Sequence, residues 1–292
     1  MTSSRYTIGV DGGGTSCRVA LVNSATGARV ERQGGPANVS NFDGAVDRII
    51  DVLRGVMSDA GVGVAELGTA SAHLGLAGVT GPVMAERVRK AIFAALPFGR
   101  ISVTGDNVTM ITGALGARDG AVAAIGTGSF VGLKRQGQVT TVGGRGFLLG
   151  DQAAGGWLGK RLLEELMLAC DGLRPHSDLS RTVLARFGGV AEVIAFAVAA
   201  RPADIAALAP EVIAAARAGD PLAKSLMDEG VDYIAAALRA LSWREGEVLC
   251  LTGGLGPAYA DVLPPGLRAS LSKPVGSALD GALALASAGD LS

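Results

Sequence analysis

Histidine and cysteine are scarce in this chain, with two histidines and three cysteines among 292 residues. Cys17, Cys170 and Cys250 are odd in number and far apart. No pair has zinc-ligand spacing, and no group holds an iron–sulfur cluster without a partner chain. With only His73 and His176, a histidine metal site or a Ser-His-Asp relay lacks material, and each reads as a structural or surface histidine. An excess of one charge is missing too: 26 Lys+Arg stand against 27 Asp+Glu, a net −1. That balance speaks against nucleic acid or an anionic membrane as the partner. The longest apolar runs, such as Val193–Ala200, fall short of a membrane span, and the residues before Tyr6 lack the apolar stretch of a secretory signal. A soluble, cytoplasmic protein is expected. Two nucleotide fingerprints are also absent: the G-x-x-x-x-G-K-[ST] loop, and a G-x-G-x-x-G that opens a helix after a strand.

What the chain has is glycine, 44 residues of it, in clusters, on a background of 49% hydrophobic and 18% charged residues. Such a composition builds a substantial core and argues against disorder. Periodicity mixes short apolar runs with helical stretches, as an α/β protein does. Strands are expected at Tyr6–Val10 and Cys17–Val22, joined by the turn Asp11-Gly12-Gly13-Gly14-Thr15-Ser16 into a hairpin. Asp43–Ala60 carries Val46, Ile49, Ile50, Leu53, Val56 and Met57 at helical spacing. Ala72–Gly78 is short and apolar, Val83–Leu96 helical, and Ile101–Val103 a brief strand before Asp106 and a helix to about Gly116. The opening pattern then recurs: Ala121–Ile125, the turn Gly126-Thr127-Gly128-Ser129, and Phe130–Leu133. The repeat suggests a duplicated domain, each copy supplying one glycine turn. A helix is expected from about Gly156, with Leu158, Leu162, Leu166 and Cys170 on one side. Ser180–Leu241 is largely helical, Val248–Thr252 a strand closed by Gly253-Gly254-Leu255-Gly256, and Gly276–Ala288 a terminal helix.

Three glycine turns that each follow a strand tilt the reading towards nucleotide binding. Glycine lets backbone N–H groups approach phosphate oxygens, and the hydroxyls of Thr15, Ser16, Thr127 and Ser129 add donors. Asp11, just before the first turn, either orders Mg²⁺ through its waters or caps a tight turn. Asp106 follows a strand at the end where open α/β sheets place their sites. It is either a base that takes a hydroxyl proton during phosphoryl transfer or a helix N-cap. Asp151 is a cap, a ligand for substrate hydroxyls, or both. Asn38 sits in a turn-rich segment, and Arg145, among glycines, either reaches across a cleft or lies on the surface.

Asp11-Gly12-Gly13-Gly14-Thr15, Asp106, Gly126-Thr127-Gly128-Ser129, Gly150-Asp151 and Gly253-Gly254 together resemble the BadF/BadG/BcrA/BcrD ATPase family. The resemblance runs from Ile8 to about Ala286 and is nearest the bacterial glucosamine kinases, on Gly9–Arg18, Gly143-Gly144-Arg145, Asp151-Gln152 and Asp171–His176. It implies two RNase H-like α/β domains of the actin/Hsp70/sugar-kinase superfamily flanking an ATP cleft, 1–116 with a C-terminal helix 276–292, and 117–275. It also implies ATP phosphates on Gly12, Gly13, Gly14 and Thr15 and on Gly126, Thr127, Gly128 and Ser129, with adenosine bordered by Gly253, Gly254 and Gly256. Asp11 is implied at the Mg²⁺ ion, Asp106 as the base for a sugar 6-hydroxyl, and Asn38, Gly144, Arg145 and Asp151 at the sugar. Many N-acetylglucosamine kinases have tryptophan at the position of Arg145 and glutamate at that of Gln152; both departures lean towards glucosamine. The iron–sulfur activators of the family need cysteines this chain lacks. The expected function is therefore ATP-dependent phosphorylation of D-glucosamine, against N-acetylglucosamine kinase or a non-catalytic actin-like nucleotide-binding protein as alternatives. Neither nucleic acid nor membrane is expected as a partner, and a homodimer is the expected assembly.

Overall fold

A computed structural model of the chain describes residues 4–288. Its contacts form two compact units, Met1–Arg118 with Pro274–Ser292, and Asp119–Lys273.

The first unit opens with a meander of β1 (Tyr6–Gly12), β2 (Cys17–Asn23) and β3 (Arg29–Gly34). There follow α1 (Phe42–Asp59), a 3₁₀ turn at Val64–Thr69, β4 (Ala70–Leu76), α2 (Pro82–Ala95), β5 (Arg100–Gly105) and α3 (Asp106–Leu115). The sheet order is β3-β2-β1-β4-β5, antiparallel in the meander and parallel from β1 through β4 to β5. Successive strand residues point to opposite faces. Tyr6, Ile8 and Val10 accordingly join the core beneath α1 and α2, with Ile49, Leu53, Val88 and Ile92, while Gly9 faces the C-terminal helix. The strand β4 is buried along its whole length, as a parallel strand covered on both faces is.

The second unit repeats the plan: β6 (Gly120–Ile125), β7 (Ser129–Arg135) and β8 (Gln138–Gly143) are antiparallel, and β9 (Leu249–Thr252) lies parallel to β6 in the order β8-β7-β6-β9. Between β8 and β9 come α4 (Gly155–Cys170), α5 (Asp178–Phe187), α6 (Val190–Ala199), α7 (Pro202–Ala206), α8 (Ala209–Ala218) and α9 (Pro221–Ala240). The helices α10 (Gly256–Val262) and α11 (Pro265–Ala269) complete it. Leu158, Leu162 and Leu166 of α4 are fully buried, as their spacing requires, and pack with Leu226, Ile234 and Leu238 of α9. Asp220 caps two helices at once, accepting from Ala223 N in α9 and Leu179 N in α5, each at 2.9 Å.

The chain then returns to the first unit as α12 (Ala278–Ala288). The remainder of the helix expected over 276–292 that follows residue 288 lies outside the described residues. Packing of α12 on α3 is close because both are glycine at the crossing: a Cβ on Gly281 would lie 1.9 Å from Thr109 O, and one on Gly113 1.8 Å from Ser277 O. Two strands go beyond the sequence expectations, β3 and β8, both polar sheet edges. No single helix among the described residues is long and apolar enough to cross a membrane.

Candidate active site

The sequence-predicted residues gather into two groups, one on each unit. On the first unit, the parallel strands β1, β4 and β5 all end at the same edge. The segments that follow β1, β3 and β4 are knit there by backbone hydrogen bonds: Ala77 N donates to Gly12 O at 2.7 Å, Ala37 N to Gly13 O at 3.0 Å, and Val39 N to Ala77 O at 2.9 Å. This brings Asp11, the Gly12–Thr15 turn, Asn38 and Asp106 to one place. Gly14 and Thr15 are exposed at the tip of the hairpin, and a Cβ on Gly14 would meet nothing within 4 Å. The turn is thus open to a ligand. Asn38 Oδ1 accepts from Ser40 N at 2.9 Å, which holds the turn ahead of α1 and sets the side chain against Gly78.

Asp106 is the first residue of α3, and the N-cap position belongs to Gly105, with no side-chain cap bond. The N-cap alternative for Asp106 is therefore corrected. Partial burial pushes its carboxyl above the ordinary range; the Asn107 backbone N–H opposes this and the charge of Asp11 adds to it. A carboxylate so placed is poised to take a proton. Asp11 itself is paired with Arg18, the residue directly opposite it in the hairpin register.

On the second unit, the turn Gly126–Ser129 is enclosed from three sides. Gly155 N of α4 donates to Gly126 O at 2.8 Å, Leu255 N to Ile125 O at 3.0 Å, and Gly144 N to Ser129 O at 2.9 Å. Gly253 adopts φ +81°, and a Cβ there would lie 2.3 Å from Ile125 O, so only glycine fits beside this turn. Thr127 and Gly128 are exposed, whereas Ser129 is 5% exposed and its hydroxyl donates to Gln152 O. That hydroxyl, expected as a phosphate donor, is committed to the neighbouring loop. Gly254 is exposed and Gly256 buried at the start of α10. Beside α10, a cavity of about 280 Å³ is lined by Ile213, Met227, Ala258 and Val262, with Lys224 and Asp228 among its polar residues.

Asp151 is not a helix cap either: Ala154 holds that position in α4. Its backbone is left-handed, φ 58°, and its carboxylate accepts from Gly146 N at 3.2 Å. Burial raises its pKa, against the hydrogen bonds from the backbones of Gly146 and Ser129. Gly144 and Arg145 are exposed in the same loop. Two further residues belong here. Arg18 was legible in principle, since a hairpin closing Gly12 against Cys17 must set residue 18 against residue 11. Tyr233 of α9 carried no local signal. Its hydroxyl lies 2.4 Å from where a Cβ on Gly143 would stand, and burial raises its pKa, with Asp151 adding and Arg145 opposing.

Residues 8–282 match the family model of the BadF/BadG/BcrA/BcrD ATPase family. The glucosamine kinase GspK of Vibrio cholerae is 32% identical over 283 residues, covering 96% of this chain and 95% of that protein. A solved structure from Chromobacterium violaceum, provisionally named an N-acetylglucosamine kinase, superimposes with TM-score 0.81 at 35% identity, over 98% of this chain and all (100%) of that one. A ROK family glucokinase from Streptomyces griseus, solved with glucose and AMPPNP, gives TM-score 0.58 at 18% identity, over 96% and 98% of the two chains. This last likeness shows the fold alone.

Proposed function

The chain belongs to the BadF/BadG/BcrA/BcrD ATPase family, and from that premise we propose that it is a hexosamine kinase, transferring the γ-phosphoryl group of ATP to the 6-hydroxyl of D-glucosamine. Use of ATP follows from the family. The observation that carries the reading is that Asp106, a half-buried carboxyl of raised pKa, and the open Asp11–Thr15 hairpin turn stand at the same edge of one sheet, at the ends of β5 and β1, the parallel strands on either side of β4. A hydroxyl base and a phosphate cradle at one edge are what phosphoryl transfer needs, because catalysis there is positioning and charge stabilisation.

In this reading, backbone N–H groups of Gly14 and Thr15 and of Thr127 and Gly128 hold phosphate oxygens, with the Thr15 and Thr127 hydroxyls adding donors. Gly12, Gly13 and Gly126 shape the turns, Gly13 N donating to Ser16 O at 2.8 Å and Gly126 N to Gly128 O at 2.9 Å. Gly253, Gly254 and Gly256 border the adenosine. Asn38, Gly144, Arg145 and Asp151 contact the sugar, and Asp106 orients the 6-hydroxyl and accepts its proton. The residues suit Mg²⁺: that ion is usually held by one or two carboxylates together with substrate phosphates, and Asp11 supplies such a carboxylate. No cluster of three or more His, Cys, Asp or Glu among the described residues is built to hold a metal by itself. When bound, Mg²⁺ supplies charge neutralisation at the phosphates.

A second reading keeps the chemistry and changes the sugar to N-acetylglucosamine, favoured by the name of the Chromobacterium relative. Glucosamine is preferred here because Arg145 stands where many N-acetylglucosamine kinases have tryptophan. Sugar-dependent ADP release from Mg·ATP decides between them, with glucosamine, N-acetylglucosamine, glucose and no sugar compared side by side. Stimulation by glucosamine alone is expected. A preference for N-acetylglucosamine would overturn the sugar assignment, and no stimulation by any sugar would leave a nucleotide-binding protein without this kinase activity.

A further inference from the structure

His73 lies in the middle of β4, 1% exposed, and the proposed reaction gives its ring no task. Both ring nitrogens are nonetheless partnered by β5. Nδ1 stands 2.8 Å from Ser102 Oγ and Nε2 3.0 Å from Thr104 Oγ1. Strand residues two apart face the same way, so one imidazole grips two consecutive same-face positions of the strand that ends at Asp106. Proton direction follows from the next link. The Thr104 hydroxyl donates to Gly105 O at 3.1 Å, so it receives from His73, which puts the ring proton on Nε2. Nδ1 is then left to accept from the Ser102 hydroxyl. Burial holds the imidazole neutral by lowering its pKa to about 4, so one ring nitrogen donates and the other accepts.

The chain ends where the chemistry begins. Gly105 is the N-cap of α3 and Asp106 its first residue. From the other side, the Thr109 hydroxyl donates to Asp106 O at 2.9 Å. Thr109 in turn is seated on Gly75 of β4, where a Cβ would lie 2.3 Å from its side chain. His73 and Gly75 are two apart and share a face. One face of β4 therefore holds both the Gly105 and the Asp106 carbonyls. An apolar side chain would fill the place of His73 as its neighbours Ala72 and Leu74 fill theirs, but would leave this chain unmade.

We propose that His73 is a positioning residue for phosphoryl transfer: acting through Thr104, it fixes the Gly105 carbonyl and with it the direction in which the Asp106 carboxylate leaves the end of β5. The proposal rests on the reading of Asp106 as the base.

The test compares Thr104→Val, which keeps shape and removes the hydroxyl, with Thr104→Ser, which returns it, alongside His73→Phe. Thr104→Val and His73→Phe are each expected to lower kcat about 10-fold, in line with the sensitivity of rate to small misplacements, with KM for ATP and sugar unchanged. Thr104→Ser recovers most of the rate lost in Thr104→Val. The double variant falls no further than the worse single one, because both break the same chain. Folded variants that melt earlier yet keep kcat within twofold of wild type would overturn the proposal, as would a double variant that loses the product of the two factors. Should His73→Phe not fold, the Thr104 pair decides alone. Asp106→Asn in the same assay separates the two levels. If it loses its rate and the other variants do not, only this inference fails; if it keeps its rate, the base reading fails and the inference falls with it.

Discussion

The Asp151 carboxylate lies over Gly128, so close that a methyl group on residue 128 would stand 2.6 Å from Oδ2. This packing adds to the bond from Gly144 N to Ser129 O, at 2.9 Å, in tying the glycine turn to the loop that carries Arg145. Gly128→Ala is expected to push Asp151 aside and loosen its bond from Gly146, raising the KM for the sugar about 10-fold, the scale of a lost charge-assisted contact. Because residue 128 is exposed, Tm should stay near that of wild type. Sugar kinetics together with a thermal melt check both halves, and an unchanged KM would separate Asp151 from sugar binding.

Asp106→Asn should lower kcat by about 10²–10⁴-fold, the usual worth of a general base. The same change should raise stability at neutral pH. The folded-state pKa of Asp106 is raised, so the folded protein holds that proton more tightly than the unfolded chain. The ionised carboxylate then opposes folding once pH exceeds the folded pKa, and the opposition vanishes below the unfolded value. Wild-type kcat/KM should fall on the acid side along a limb lying above that of an ordinary carboxylate. A variant that is both inactive and less stable at pH 7 would contradict the burial argument.

Asp11→Asn should raise the Mg²⁺ concentration for half-maximal rate about 10-fold at fixed ATP and leave the sugar KM alone. Loss of the Arg18 partner should change stability by about 1 kcal/mol at most, since Arg18 is 45% exposed and solvent screens the pair even though the Asp11 side chain is 14% exposed. A Mg²⁺ titration with unaltered midpoint would remove Asp11 from the metal.

Gly281→Ala places a methyl group 1.9 Å from Thr109 O at the crossing of α12 and α3. Overpacking of this kind costs about 1–3 kcal/mol, expected as a lower midpoint in urea with the slope unchanged. A wild-type midpoint would show that the two helices separate without cost.

The hairpins were legible because their information is local. A glycine cluster between two short apolar runs specifies a tight turn, and the turn sets the register that opposes Asp11 and Arg18. The buried stripe of α4 and the burial of β4 follow from residue spacing in the same way. The strands β3 and β8 escaped because sheet edges are kept polar against association: Arg-Val-Glu-Arg-Gln-Gly at Arg29–Gly34 has too few apolar residues to announce a strand. Local sequence likewise left Asp106 and Asp151 each with a helix-cap reading. It was the fold that gave those cap positions to Gly105 and Ala154.

Sequence alone thus determined the α/β class, the three glycine turns and the acidic residues beside them, since backbone conformation and strand alternation are governed by near neighbours. Tertiary structure alone decided which side chains those turns meet: Tyr233 against Gly143, the Ser129 hydroxyl on Gln152, and His73 between Ser102 and Thr104. Such meetings depend on sheet order and helix packing, which bring together residues far apart in the chain that share no local pattern.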